Sequence, residues 1–317
     1  MKNDNFKSFL DSKKCFKIIC GAGNKYYNEI TNLCALYAVA GCRFFDVNPS
    51  VEAIQAAKAG FKYAGKEKEC FICVSVGTND DPHFMKCDID SNKCSACGAC
   101  EKACMQQAVK TKTGTYYIEK DKCIGCQKCR TACKSSAINT YRDEMSLSDT
   151  ILPLLKEDFD CLEYHIITDS ETEIMNGWKN IISMYNGPIS VCLDRSKFGN
   201  EQVVKCLKKM KSSCNDIFIV QADGAPMSGG EDDYRTTLQA VSMADIIDKA
   251  NITPYIFISG GTNSKTKELL KLCNIDVTGI SIGSFARKNV KEYIENDSFL
   301  TDKGIFNKAL ALAKRII

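Results

Sequence analysis

The sequence has little of several things that would settle a function class early. Its formal net charge is only +3 over 317 residues, and the basic residues are interspersed with acids. A nucleic-acid groove needs a concentrated basic face, so no nucleic-acid partner is expected. No apolar run approaches the roughly 18 residues that mark a membrane span, so none is expected. The opening segment MKNDNFKSFLDSKK lacks the apolar stretch of a signal peptide, and the expectation is a cytoplasmic protein. Histidine is scarce, with two residues, and no G-x-G-x-x-G turn marks a dinucleotide site.

What the sequence has in excess is cysteine, twenty in all. In a cytosol that keeps thiols reduced they are no disulfide scaffold. Most of the scattered ones sit in apolar runs such as FKIIC, FICVSV and ISVCL, where a cysteine acts as a small buried hydrophobe. Eight others form two C-x2-C-x2-C-x3-C runs, CSACGACEKAC from Cys94 to Cys104 and CIGCQKCRTAC from Cys123 to Cys133. This is the spacing of bacterial two-cluster ferredoxins, in which the fourth cysteine of each run ligates the other cluster. The expected ligand sets are Cys94, Cys97, Cys100 and Cys133 for one [4Fe–4S] cluster, and Cys123, Cys126, Cys129 and Cys104 for the second. Zinc is disfavoured, because zinc sites usually separate two C-x2-C pairs instead of crowding four cysteines together. Where ferredoxins usually carry proline after the fourth cysteine, this chain has Met105 and Lys134. Each adds a backbone N–H near a cluster sulfur, which raises the potential.

Outside the cysteine runs, short β-branched or aromatic runs alternate with longer amphipathic stretches. The expected strands are Phe16–Cys20, Cys42–Val47, Phe71–Val76, Cys161–Ile166, Pro188–Leu193, Asp216–Gln221, Pro254–Ser259 and Val277–Gly283. Between them lie helical patterns such as VEAIQAAKAGFKYAG and EQVVKCLKKMKSS. Eight such βα units make a (β/α)8 TIM-type barrel. An open doubly wound sheet shares the alternation, but eight units without a glycine-rich dinucleotide turn favour closure. The interval between the third and fourth strands is too long by about the size of a small ferredoxin, and it holds all eight motif cysteines. The expected division is a barrel over 1–81 and 144–317 with a ferredoxin-like insertion over 82–143. A loop after a barrel strand opens on the C-terminal face, where active sites lie, so electrons would arrive over the barrel mouth.

Candidate residues gather at that mouth. The last two βα turns, ISGGTN and SIGSFARK, offer Gly260, Gly261, Thr262, Gly283, Ser284 and Arg287 for a phosphate-bearing ligand or FMN, because backbone N–H groups and a helix N-terminus favour an anion. The fourth strand puts Glu163 and His165 on one face near its end, where they are candidates for proton handling. Gln221 and Asp223 share a face of the sixth strand, and Asp223 is a further catalytic candidate. His83, in DDPHF, sits where barrel and insertion join and is the last. Asp46 ends the second strand. Cys20 ends the first, as a nucleophile, an extra ligand or buried filler, with filler favoured.

KIICGAG, ALYAVAGCRFFDV, DDPHF, QADGAPMSGG, SGGTN and GSFARK together resemble the landmarks of the light-dependent period A family, over nearly the whole chain. The resemblance implies two iron–sulfur clusters and a redox-sensing role tied to cellular electron flow, and no settled reaction for the barrel. Three functions are in view. The first is an oxidoreductase that exchanges electrons with a ligand at the mouth, its partner a redox protein or small-molecule donor or acceptor. The second is a non-enzymatic redox sensor read by a protein partner. The third is an electron carrier with the barrel as a platform, which a polar, glycine-lined mouth argues against.

Overall fold

The computed structural model describes residues 2–21, 23–77, 85–142, 146–193, 198–224 and 232–317. Eight parallel strands close on themselves: β1 (Cys15–Ile19), β2 (Phe44–Val47), β3 (Phe71–Gly77), β8 (Cys161–Ile166), β9 (Ile189–Leu193), β10 (Phe218–Asp223), β11 (Tyr255–Ser259) and β12 (Gly279–Ile282). All eight overlap the strands expected from the sequence, with ends shifted by one or two residues in most, and β1 pairing with β12 seals the barrel. Outward side chains such as Ile18, Val74, Leu162 and Val220 are buried under the helices, because a parallel sheet wrapped by helices has no polar face.

The inward side chains form three tiers. The lowest is apolar. Helix α1 (Lys2–Asp11) plugs it by packing Phe6, Phe9 and Leu10 against Phe44, Phe71 and Phe257. The middle tier is polar: Lys17, Asp46, Ser75, Glu163, Ser190, Gln221 and Ser281 are all buried. The upper tier opens on the C-terminal face and carries His165, Asp223 and Ser259.

Between β3 and β8 the chain makes a separate small unit. Strand β4 (Met85–Ile89) runs antiparallel to β7 (Ile138–Arg142), with Met85 opposite Arg142, so the unit begins and ends on one two-stranded ribbon. A second hairpin pairs β5 (Val109–Lys112) with β6 (Thr115–Ile118) through a turn at Thr113 and Gly114, both at positive φ. Two five-residue helices, α4 (Ala99–Ala103) and α5 (Lys128–Ala132), each join the third and fourth cysteines of a run. β3 then pairs directly with β8, so the barrel closes as though the insertion were only a long loop. The expected limits at 82 and 143 fall outside the described residues, as does His83. Among the described residues no helix is long and apolar enough to cross a membrane.

Candidate functional site

The eight motif cysteines converge on two small cavities. Cys94, Cys97, Cys100 and Cys133 line one, and Cys104, Cys123, Cys126 and Cys129 line the other. Each set takes three thiols from one run and the fourth from the other, the crossed arrangement expected from the spacing. Ala108 N donates to Cys104 Sγ and Ala137 N to Cys133 Sγ, each at 3.3 Å, so a backbone donor holds the fourth sulfur of each run. Cys87 of β4 is a fifth thiol on the second cavity. Its S–H donation to Cys123 and Cys129 holds both below the ordinary thiol range. The donor set fits iron–sulfur cubanes, which would supply single-electron transfer when bound.

The unit holding these cavities is tied to the barrel mouth. Lys86 Nζ donates to Gly23 O at 2.6 Å and also to Cys123 O, so one buried ammonium joins the loop after β1 to a motif cysteine. Lys25 N donates to Asp121 O at 3.1 Å, and Lys291 of α11 (Ser284–Ile294) donates to Met105 O.

Between unit and barrel lies a cavity of about 170 Å³. A single water needs only roughly 10–15 Å³ on the same measure, so this space suits a small organic ligand. Cys126 lines it from one side, His165 and Asp223 from the other. Arg287 lies in the wall, 8% exposed, with its guanidinium 3.3 Å from Cys20 O. Its Nε has no hydrogen-bond partner among the described residues. Gly21, at φ +105°, leaves room for that guanidinium, since a Cβ there would stand 2.7 Å from Nη1. Lys128, Lys288 and Lys291 add positive charge to the lining beside Glu29, with Lys291 also 3.6 Å from Glu295. Burial raises the Glu29 carboxyl, against the pull of Arg287.

The remaining expected ligand-binding residues divide by what they touch. Gly261, Gly283 and Ser284 line the cavity. Thr262 also lines it, but its hydroxyl donates to Ser281 O at 2.5 Å and so links β11 to β12. Gly260, at φ +67°, makes room for another residue, because a Cβ would come 2.0 Å from Asp223 Oδ1. Cys20 is fully buried with its sulfur 4.0 Å from that of Cys34, which agrees with the filler reading.

Glu163 and His165 do share the inner face, on different tiers. Glu163 takes Lys17 Nζ at 2.6 Å, Ser190 Oγ at 2.8 Å and Gln221 Nε2 at 2.9 Å. Lys17 also reaches Asp46 at 3.1 Å and Gln221 Oε1 at 3.1 Å. Burial works to discharge Lys17, but the two carboxylates overcome it and hold the ammonium charged. Burial likewise opposes charge on Glu163, yet Lys17 keeps it below the ordinary carboxylate range. One lysine cannot fully serve two acids, so burial pushes Asp46 up to about 6. His165 Nε2 stands 3.9 Å from Asp223 Oδ2, and the thiol of Cys192 is beside it.

Lys17 and Cys192 were not among the expected site residues. Lys17 left one signal, a charge inside the apolar run CFKIIC, in phase with the inward positions.

Comparison with known proteins places these features in a lineage. Residues 93–138 match a 4Fe-4S dicluster domain, so the inserted unit is an iron–sulfur domain. The chain is 26% identical over 302 residues to light dependent period A of Synechococcus elongatus, covering 90% of this chain and 84% of that protein. Solved structures are more distant. Tryptophan synthase of Mycobacterium tuberculosis shares 9% identity over 99% of this chain and 98% of its own, with a TM-score of 0.47. A truncated 3-deoxy-D-arabino-heptulosonate 7-phosphate synthase of Thermotoga maritima shares 11% over 95% and 83%, with a TM-score of 0.46. Neither likeness is close enough to carry an argument, and the barrel stands on its own strand pairing. Residues 153–314, about half of the chain, match the light dependent period A C-terminal domain, and the protein belongs to that family.

Proposed function

We propose that the protein is an iron–sulfur oxidoreductase in which two [4Fe–4S] clusters exchange electrons with an anionic ligand held at the barrel mouth. The observation that carries this reading is the shared cavity, where Cys126 of one thiol set faces the same space as Arg287, His165 and Asp223. Arg287 is the anchor for the anion. It is buried, its Nε has no partner among the described residues, and it lies in the first turn of α11, whose N-terminus favours negative charge. A phosphate-bearing molecule or FMN meets these requirements. The reacting end of the ligand faces His165 and Asp223. Glu163 is committed to Lys17, so its role is to fix charge beneath the site, and proton exchange with the ligand does not fall to it.

The test uses anaerobically purified holoprotein. Binding of FMN and of inorganic phosphate is measured for the wild type and for Arg287→Ala, with iron content as the control. The expected outcome is binding weakened roughly tenfold or more on loss of a charge-assisted contact, at unchanged iron. Wild-type behaviour of Arg287→Ala toward both probes would overturn the anion site, and a redox sensor without a substrate would then be the better reading.

A further inference from the structure

The upper tier holds a set of ligating groups separate from the cluster cysteines. His165 of β8, Cys192 of β9 and Asp223 of β10 come from three adjacent strands, with His165 directly opposite Cys192 in the ladder. One ligand atom from each lies within 4.8 Å of the others. All three are buried, with exposures of 9%, 1% and 3%. We infer that this corner binds a single divalent transition-metal ion of zinc's class, with one coordination position open to the cavity.

An imidazole, a thiolate and a carboxylate make a borderline-soft donor set of the kind zinc accepts. Three protein ligands with a vacant fourth position distinguish catalytic zinc sites from closed structural ones. Zn–N or Zn–O near 2.0 Å and Zn–S near 2.3 Å put the tetrahedral nitrogen and oxygen roughly 3.3 Å apart and each of them roughly 3.5 Å from the sulfur. His165 Nε2 and Asp223 Oδ2, at 3.9 Å, need only a small closing movement to reach that separation. Small side-chain rotations bring in the sulfur.

The plain alternative is a His–Asp pair with a cysteine as packing. One observation weighs against it. Gly260 adopts φ +67° and leaves space that a Cβ would take from Asp223 Oδ1, so the turn after β11 is shaped around this carboxylate. Asp46, Cys73 and Glu163 form a similar triad one tier down, with the ammonium of Lys17 on both carboxylates. The upper triad borders the cavity through His165 and Asp223, where an ion could take a ligand oxygen. What the ion would do, polarising an oxygen of the bound anion, rests on the function proposed above. Its binding does not.

The experiment incubates anaerobic holoprotein with zinc, desalts it, and measures zinc and iron together. About one zinc per chain is expected, with an X-ray absorption shell of one sulfur near 2.3 Å and nitrogen or oxygen near 2.0–2.1 Å. Gly260→Ala, which displaces a ligand without removing it, should weaken zinc retention about 10–100-fold. Cys192→Ser should abolish it at unchanged iron content. Arg287→Ala, which tests the anion site, should leave zinc untouched, so the two ideas can fail separately. No retained zinc, a four-sulfur shell, or retention indifferent to both Cys192→Ser and Gly260→Ala would each overturn the site.

Discussion

Lys17→Met is the most informative single change in the barrel, because it removes one charge and nearly conserves volume. The ammonium it deletes bonds Glu163 at 2.6 Å, Asp46 at 3.1 Å and Gln221 at 3.1 Å, and it is 1% exposed. Two buried carboxylates then face each other with Ser75, Ser190 and the Gln221 amide as their side-chain donors among the described residues. Removing one partner from a buried ion pair costs about 3–5 kcal/mol, a large part of the roughly 5–15 kcal/mol that holds a domain together. The pH dependence has a definite sign. Asp46, already pushed up to about 6 with the lysine present, rises further without it. A raised carboxylate costs nothing below its unfolded value, near 3.9, and penalises folding as pH climbs from there to the folded value. The variant's deficit against wild type should therefore shrink between about pH 7 and pH 5.5, as the buried carboxylates take up protons. Trp178, the only tryptophan, is the natural probe. It is buried in α7 (Glu171–Met184) with its ring 5.9 Å from that of Phe218, so its fluorescence reports the barrel. Anaerobic urea unfolding at both pH values measures the deficit, and adding Glu163→Gln should recover part of it. A deficit under about 1 kcal/mol at neutral pH, or one that grows on acidification, would refute the reasoning.

Two further predictions concern the inserted unit. Cys133→Ala should cut iron from about eight to about four per chain and remove the cluster served by Cys94, Cys97 and Cys100, as followed by EPR; selective loss of the other cluster would sink the crossed assignment. Replacing Pro82 to Arg142 by a short linker should leave a folded α/β barrel, because β3 and β8 pair directly. Loss of the cooperative thermal transition in circular dichroism would show that the unit is required for closure.

Much of this architecture was legible in the sequence, for local reasons. Each strand is a short apolar run bounded by a longer run with helical spacing, and the one interval that breaks the rhythm holds the cysteine runs. The grouping of the eight motif thiols into two crossed sets was legible because their spacing is itself local geometry. The N-terminal helix left a signal that went unused: Phe6, Phe9 and Leu10 recur at helical spacing, and they become the plug of the barrel floor. Lys17 was illegible as a site residue because its partners lie 29 and 146 positions away and meet it only when the barrel closes. Cys192 looked like its many buried counterparts, and only the register of β8 on β9 puts it beside His165. Gly260 gave a correct signal with an incomplete meaning. Its conformation does demand glycine, and the crowding comes from Asp223.

The charges of the two tiers also fix which way round an anion would sit. Asp46, Glu163 and Lys17 together leave an excess of negative charge beneath the cavity whenever Asp46 is ionised, and Asp223 lies above them. The opposite wall carries Arg287, Lys288 and Lys291 on one helix, and Lys128 from the inserted unit. A phosphate would therefore turn toward α11, leaving the rest of the molecule to span the space between Cys126 and His165. With inorganic phosphate as competitor, Arg287→Ala should abolish protection of α11 amides from hydrogen exchange, while amides of β8 near His165 stay as in the wild type. Phosphate protection that appears at β8 and not at α11 would reverse the orientation and place the positive rim outside the ligand site.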